Sequence, residues 1–224
     1  MSDFGLIKEK TTALSAEAAS RGALLCAVIK NRTPEEIDFA LGECGVLAVG
    51  ENRVQELLFH YDTLKNYGAD VHFIGSLQKN KVKYIADKVS MIESLDSLPL
   101  AAEVEKHACK IGRVIDVLVE VNIGREAQKG GVFPDEALTF AGELSHFPHL
   151  RVRGLMTIAP RCESIDGYDV YFSEMARLFD EFKKSYDQSD PPVLSMGMSE
   201  SYKKALEYGA TEIRIGTGIF GSRP

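Results

Sequence analysis

Eight short apolar runs recur along the 224-residue chain, and most are followed by a segment in which apolar residues have helical spacing. Strands that alternate with helices form a parallel sheet, because each helix carries the chain back to the start of the next strand. Eight is the number of strands that closes a (β/α)₈ barrel. We therefore expect an α/β fold, a single (β/α)₈ TIM-type barrel, with an open doubly wound sheet as the alternative. The runs occupy residues 23–30, 46–50, 71–75, 91–95, 115–122, 150–158, 193–198 and 212–216.

The two ends of the chain refine this expectation. Residues 3–20 have helical spacing, with Asp3 as the N-cap and Arg21-Gly22 as the stop. Too few residues follow the last run for a full eighth helix, so we expect the N-terminal helix to cover that gap in the outer ring. No linker or break in composition interrupts the chain, which predicts one domain over residues 1–224.

Charge and cysteine usage exclude several classes of function. The formal net charge of -7 and the pI near 5.3 argue against nucleic-acid and anionic-membrane binding, which need a basic surface. Cys26, Cys44, Cys109 and Cys162 form no CxxC pair and no zinc spacing with histidines, so we expect neither a metal site nor disulfides. The N-terminus has no leader-like pattern and no run is long enough to span a membrane. These features predict a soluble cytoplasmic protein, which we expect to be a monomer.

Lys30 is the clearest nucleophile candidate at the strand ends, where (β/α)₈ barrels build their active sites. A lysine beside an apolar wall loses its proton more easily and can attack a carbonyl. The alternative is a strand-end lysine that only reaches solvent. The other polar strand ends are Glu51-Asn52, Gly75 to Gln78, Asn122, Met156-Thr157, Ser195 to Ser199, and Arg214 with Gly216 to Gly218.

A glycine-rich turn follows the last strand. The pattern Gly216-x-Gly218-x-x-Gly221 matches a dinucleotide fingerprint only superficially, because no long helix and no downstream acidic residue can follow it. Barrels often bind phosphate at this position, and Ser199 and Thr217 could add hydroxyl donors. The alternative is a pair of tight turns without a ligand. A lysine opposite a phosphate site suggests pyridoxal phosphate, with Arg214 either facing the cofactor ring or forming a salt bridge inside the barrel.

The motifs at the strand ends closely resemble those of the pyridoxal phosphate homeostasis proteins, a family with the barrel of the alanine racemase N-terminal domain. The resemblance spans about residues 23–223. The matching motifs are the run that ends in Lys30, Gly50-Glu51-Asn52 with Val54-Gln55-Glu56, His72 to Gln78 with Asn80-Lys81, Gly154-Leu155-Met156, Ser195 to Ser199, and Arg214 to Thr217 with Ile219-Phe220-Gly221.

The resemblance implies a role for each site residue. Lys30 would form a Schiff base with pyridoxal phosphate, and Ser199, Gly216 and Thr217 would hold the phosphate. Asn52 and Met196 would line the cofactor, while Arg214 would approach the pyridine nitrogen. This chain departs from the family pattern at Ile29, where serine is usual, at Arg53, where tyrosine is common, and in a loop one residue longer before Pro34. These departures affect the packing around the site.

Three functions are consistent with these residues. The resemblance favours a protein of intracellular pyridoxal phosphate homeostasis that buffers, carries or delivers the cofactor, with apo forms of pyridoxal phosphate enzymes as recipients and no robust catalysis. The alternative is an amino-acid racemase, which needs a second base, usually a tyrosine from another domain or subunit. Tyr202 and Tyr208 are expected on outer helices, where neither could serve. A phosphosugar or nucleotide enzyme would leave Lys30 without a defined partner.

Overall fold

The structure, a computed structural model, describes residues 3–185 and 190–221. Its eight strands form a closed parallel barrel in sequence order, and β1 pairs with β8 from Leu24↔Glu212 to Ala27↔Ile215. The expected (β/α)₈ barrel is therefore confirmed, and the open sheet is excluded. The strands are β1 (Leu24–Val28), β2 (Ala48–Glu51), β3 (Asp70–Phe73), β4 (Met91–Leu95), β5 (Ile115–Glu120), β6 (Leu150–Met156), β7 (Val193–Ser195) and β8 (Glu212–Ile215).

Helices surround the barrel. The helices of the described ranges are α1 (Phe4–Ser20), α2 (Pro34–Gly42), α3 (Val54–Asn66), α4 (Val82–Ile85), α5 (Leu98–Ile111), α6 (Ala137–Glu143), α7 (Asp169–Ser185), α8 (Tyr202–Glu207) and α9 (Thr217–Phe220). Among the described residues, no helix combines the length and the apolar character needed to cross a bilayer.

The N-terminal helix takes the place of the missing eighth helix, as expected. The Asp3 carboxylate accepts a hydrogen bond from the backbone N–H of Leu6 at 3.0 Å and caps α1. Ile7, Leu14 and Ala18 are buried on its inner face, and α1 packs against β1, α2 and α9. After β8 only the single turn of α9 follows in the described chain, so α1 covers the adjoining part of the barrel wall.

Two helices are shorter than the sequence pattern predicts. The helix expected through Val89 is reduced to α4, which a 3₁₀ turn at Lys79–Lys81 precedes. Lys79 and Lys81 place cationic side chains at the positive N-terminal end of the helix dipole, which disfavours an α-helical start there. The helix expected from Pro134 to Phe147 is α helical only at Ala137–Glu143 and ends in a 3₁₀ turn. The aromatic stripe on α7, by contrast, is buried as expected at Phe172, Phe179 and Phe182.

The alternation of side chains along the strands separates two environments. Val117 and Val119 of β5 face outward and belong to the main core between sheet and helices, whereas Leu118 packs with Met91 and Met156 in a second cluster. The same alternation turns His72, Glu93 and Glu212 away from the helices. The barrel interior therefore holds an apolar cluster and a buried polar layer, and the cavity described next opens at the C-terminal ends of the strands.

Candidate cofactor site

A cavity of about 370 Å³ opens at the C-terminal mouth of the barrel. This volume suits a small cofactor, since ligand pockets start at about 300 Å³. Six of the seven residues assigned to cofactor binding from the sequence line it. Its lining residues are Val28, Lys30, Asn52, Ile74, Ile158, Ala159, Arg161, Tyr168, Met198, Ser199, Glu200, Ser201, Arg214, Gly216 and Thr217.

The end of β1 directs Lys30 into this cavity. Cys26, Val28 and Lys30 share the inward face because side chains alternate along a strand, and the backbone N–H of Ile29 still bonds Gly50 O at 3.1 Å. The chain then turns at Asn31, which has a positive φ of 55°. Asparagine tolerates this conformation better than most residues. Lys30 lies two residues beyond the end of β1, half-buried in the cavity wall.

The loop after Lys30 is tied to α3. The backbone N–H of Asn31 donates to the Glu56 carboxylate at 2.7 Å, and Arg53 pairs with the same carboxylate at 2.9 Å. Arg53, one of the departures from the family pattern, thus helps to anchor the loop that presents Lys30. A second tie comes from Arg32, whose guanidinium donates to Gly221 O at 2.8 Å and links this loop to the chain after β8.

Hydroxyl groups from two neighbouring loops meet on the β7–β8 side of the cavity. Thr217 Oγ1 donates to Ser199 Oγ at 3.0 Å, and the backbone N–H of Gly218 donates to the same oxygen at 3.0 Å. A side chain at residue 218 would be crowded, since a Cβ there would lie 2.7 Å from Ile215 and 3.3 Å from Ser199 Oγ. The glycine therefore allows the two loops to approach, and their hydroxyls form a donor set suited to an anion.

The floor and side wall of the cavity carry a buried guanidinium and an amide. Arg214 is 3% exposed, and its Nη2 donates to Thr157 O at 2.7 Å. Its guanidinium also lies 3.7 Å from the Glu93 carboxylate. Arg214 thus lines the cavity and also forms the interior salt bridge that the sequence left as an alternative. The buried Asn52 Oδ1 has no hydrogen-bond partner among the described residues.

Two carboxyl groups near the strand ends have raised pKa values. Burial raises the pKa of Glu51 to about 7, against the hydrogen bonds from the Arg53 and Asn52 amides and the charge of Lys30. Burial also raises the pKa of Glu120 to about 7, and the charge of Asp96 adds to the effect. Both carboxyl groups therefore exchange protons near neutral pH, close to the cavity.

Sequence reasoning missed part of the cavity wall. Met196 is fully buried and is not among the described residues that line the cavity, whereas Met198 lines it. Period-two alternation counted from Ser195 puts residue 196 on the outer face, a signal that was available in the sequence. Tyr168 also lines the cavity, whereas the sequence analysis considered only Tyr202 and Tyr208 and expected both on outer helices. Tyr202 is the first residue of α8 and Tyr208 directly follows its end, and their hydroxyls donate to Glu17 and Asp169.

Comparisons with known proteins identify the family. The family model "Alanine racemase, N-terminal domain" matches residues 3–224. The chain is 43% identical to the pyridoxal phosphate homeostasis protein of Aquifex aeolicus over 209 residues, which cover 92% of this chain and 91% of that one. It is 35% identical to the protein of the same name from Escherichia coli over 203 residues, 89% and 85% of the two chains.

Solved structures agree with this assignment. PipY of Synechococcus elongatus, solved with pyridoxal phosphate bound, superposes with a TM-score of 0.86 at 30% identity and covers 96% of this chain and all of that one. The alanine racemase of Corynebacterium glutamicum, at 18% identity and a TM-score of 0.76, matches 100% of this chain but 63% of its own and shares the fold. The chain therefore belongs to the pyridoxal phosphate homeostasis protein family, with the barrel of the alanine racemase N-terminal domain.

Proposed function

We propose that this chain, as one domain, binds pyridoxal phosphate through a Schiff base on Lys30 and buffers or delivers the cofactor inside the cell. One observation carries the proposal: the Lys30 amine and the Ser199 and Thr217 hydroxyls line the same cavity. An amine is the group that condenses with the aldehyde of this cofactor, and hydroxyl donors suit its phosphate.

Other features of the cavity fit the same ligand. The unpartnered Asn52 Oδ1 is an acceptor that a bound group can satisfy. Gly216 also lines the cavity, beside Val28 and Thr217. The cofactor's name in the relatives and its presence in the PipY structure support the assignment.

Arg214 favours a carrier over a strong catalyst. A fixed positive charge beside a pyridine nitrogen opposes protonation of that nitrogen, and the protonated ring is the electron sink used in carbanion chemistry. We propose that Arg214 occupies this position. Recipient enzymes without their cofactor are the proposed partners, and a monomeric state is part of the same proposal.

The test is an absorption spectrum of the purified protein with pyridoxal phosphate, followed by borohydride reduction and peptide mass mapping. We expect a pyridoxyl adduct on Lys30. Lys30→Arg keeps the positive charge but is expected to form no adduct. Ser199→Ala and Thr217→Val are each expected to weaken binding by about tenfold, since a hydrogen bond to a charged group contributes about 1.5–3 kcal/mol. An adduct on another lysine, or none, would contradict the proposal.

Amino-acid racemisation is the second candidate, because Tyr168 lines the cavity that holds Lys30. The Tyr168 hydroxyl accepts a hydrogen bond from the backbone N–H of Cys162 at 3.4 Å and is a candidate second base. Sustained interconversion of alanine or serine enantiomers, abolished in Tyr168→Phe, would favour the racemase. Adduct formation without interconversion would favour the carrier.

A further inference from the structure

A buried polar layer crosses the barrel directly beneath the cofactor cavity. It consists of side chains from β1, β3, β4, β7 and β8, each at most 3% exposed. Its members are Cys26, His72, Glu93, Ser195, Glu212 and Arg214. Charged groups with this degree of burial are costly unless they are paired and hydrogen-bonded, so the contacts within the layer determine what it does.

Ser195 connects Arg214 to the two glutamates. Arg214 Nη1 donates to Ser195 Oγ at 2.5 Å. The same hydroxyl lies 2.7 Å from a Glu93 oxygen and 2.9 Å from a Glu212 oxygen. A hydroxyl has one proton, so Ser195 donates to one carboxylate at a time while it accepts from Arg214.

His72 closes the network on the far side of the carboxylates. Its Nδ1 lies 2.9 Å from Glu93 and 3.3 Å from Glu212, and its Nε2 lies 3.4 Å from the exposed Asp70. A ring with acceptors at both nitrogens is satisfied as the imidazolium, which donates twice. Burial opposes this charge, but the charge of Glu212 and the hydrogen bond to Asp70 raise the pKa of His72 well above its usual value.

The carboxyl groups of the layer balance the positive charge of Arg214. Burial alone would raise the pKa of Glu93, yet the hydrogen bond from His72 and the charge of Arg214 lower it overall. Burial and the charge of Glu93 raise the pKa of Glu212. Burial and the charge of Asp96 raise the pKa of Glu120, and the charge of Arg214 opposes this rise. Arg214 is therefore held by an acidic surrounding that includes one firmly ionised carboxylate.

The same atoms raise the alternative of a metal site. One ligand atom each from Cys26, His72, Glu93 and Glu212 lies within 4.8 Å of the others. However, burial raises the pKa of the Cys26 thiol to about 12, which keeps it protonated. The carboxylate oxygens already accept from His72 and Ser195, and a further cation beside the buried Arg214 would add unbalanced positive charge. The contacts favour a hydrogen-bonded network.

We propose that Glu93, Ser195 and His72 are positioning residues that fix the Arg214 guanidinium at the floor of the cavity and set the charge the cofactor ring meets. This inference rests on the proposed function, because it assigns Arg214 to the cofactor. The network determines where the guanidinium points and how much of its charge remains uncompensated.

The first test compares cofactor binding in variants. Glu93→Gln removes the balancing charge and is expected to weaken pyridoxal phosphate affinity about tenfold. It is also expected to lower the pH midpoint of the Schiff-base absorption band by about one unit, because uncompensated positive charge disfavours the protonated Schiff base. Glu93→Asp keeps the negative charge, so its pH midpoint is expected to lie close to that of the wild type. Glu103→Gln removes a carboxylate of the outer helix α5 that pairs with Lys106 outside the network, so it is the matched control and should change affinity less than about twofold.

Ser195→Ala keeps every charge and guards against a folding failure of Glu93→Gln. It is expected to lower affinity by several-fold because Arg214 Nη1 loses its acceptor. The inference is overturned if the wild type forms the Lys30 adduct but Glu93→Gln and Ser195→Ala both keep the wild-type affinity and the wild-type pH midpoint of the Schiff-base band.

The second test needs no cofactor and so separates the two proposals. ¹⁵N NMR of the ligand-free protein at pH 7 is expected to show both His72 ring nitrogens protonated and slowly exchanging Arg214 guanidinium protons, which exchange faster in Ser195→Ala. A neutral His72 ring, or one metal ion per chain by elemental analysis, would overturn the inference. Absence of the Lys30 adduct in wild type, with the NMR result as expected, would instead overturn the proposed function.

Discussion

At the residue scale, Glu51 shows how burial next to the cavity changes the pKa of a carboxyl group. Its carboxylate accepts the backbone N–H groups of Asn52 at 2.6 Å and Arg53 at 3.0 Å, while its other oxygen has no partner among the described residues. These bonds shape the backbone that carries Asn52 into the cavity. Burial nevertheless dominates and raises the pKa of the carboxyl from 4.5 to about 7.

The raised pKa of Glu51 predicts a pH-dependent stability difference. Between about pH 4.5 and 7 the native state keeps a proton that the unfolded chain releases, so this carboxyl stabilises the fold below pH 4.5 and the contribution is lost as the pH rises to about 7. Glu51→Gln does not titrate and keeps a carbonyl acceptor. The unfolding free energy of this variant minus that of the wild type is expected to rise by about 3 kcal/mol across this window. Urea denaturation at several pH values measures this difference, and a constant difference would contradict the expectation.

At the scale of elements, α1 acts as part of the barrel wall. Its inner face packs against β1 and α9, and Tyr202 of α8 donates to Glu17 at 2.8 Å. The buried Thr11 hydroxyl donates to Ile7 O at 2.7 Å, so this polar group is satisfied within the helix. The N-terminal helix therefore supports β1, which leads to Lys30, and α9, which follows β8.

A pair of leucines in α1 tests this role. Leu14 is buried, at 8% exposure, and Leu14→Ala is expected to lower the unfolding free energy by about 2–4 kcal/mol through lost burial and an unfilled cavity. Leu6 is 42% exposed on the same helix, and Leu6→Ala is the matched control with an expected effect within about 0.5 kcal/mol. Equal effects of the two substitutions in chemical denaturation would show that α1 does not pack as described.

At the scale of the whole molecule, the barrel is paired unevenly. β5 pairs with β6 along its length, whereas β7 and β8 share a shorter ladder of three backbone hydrogen bonds among the described residues. These run from Thr211 N–H to Leu194 O at 3.0 Å, from Met196 N–H to Glu212 O at 3.1 Å and from Arg214 N–H to Gly197 O at 3.0 Å. This short seam lies beside the cavity, where Ser199 and Thr217 meet. The β7–β8 seam that closes the barrel therefore also shapes the side of the cavity where Ser199 and Thr217 meet.

This uneven pairing predicts uneven hydrogen exchange. Amides of β7 are expected to exchange at least about tenfold faster than those of β5 and β6, because β7 is only 3 residues long and fewer hydrogen bonds must open to expose it. Under the proposed function, pyridoxal phosphate links the two loops and slows exchange in β7 and β8. Hydrogen-exchange mass spectrometry with and without the cofactor measures both effects. Uniform protection around the barrel would contradict the expectation.

Local sequence patterns predicted much of the fold. The predicted run 91–95 is confirmed as β4. The helical spacing from about Leu98 to Ile111 predicts the helix that follows, and α5 has these bounds because Pro99 suits the first turn and Gly112 ends the helix with a φ of 65°. The strand ends indicated Lys30 and the Ser199–Thr217 pair, since the C-terminal ends of parallel strands meet at one mouth. Their roles toward the cofactor stay predictions, as does the cytoplasmic location.

By itself, the sequence determined the order of strands and helices and the residues at the barrel mouth, because both depend on short-range periodicity, caps and chain direction. Only the tertiary structure decided closure and the contents of the interior. His72, Glu93 and Glu212 are far apart in sequence, and the register of β3, β4 and β8 brings them together around Ser195. The local sign of this interior cluster in the sequence was an isolated acidic residue within an apolar strand. Which acid meets which cation depends on long-range packing, and that packing places Arg214 beneath the cavity that Lys30 enters.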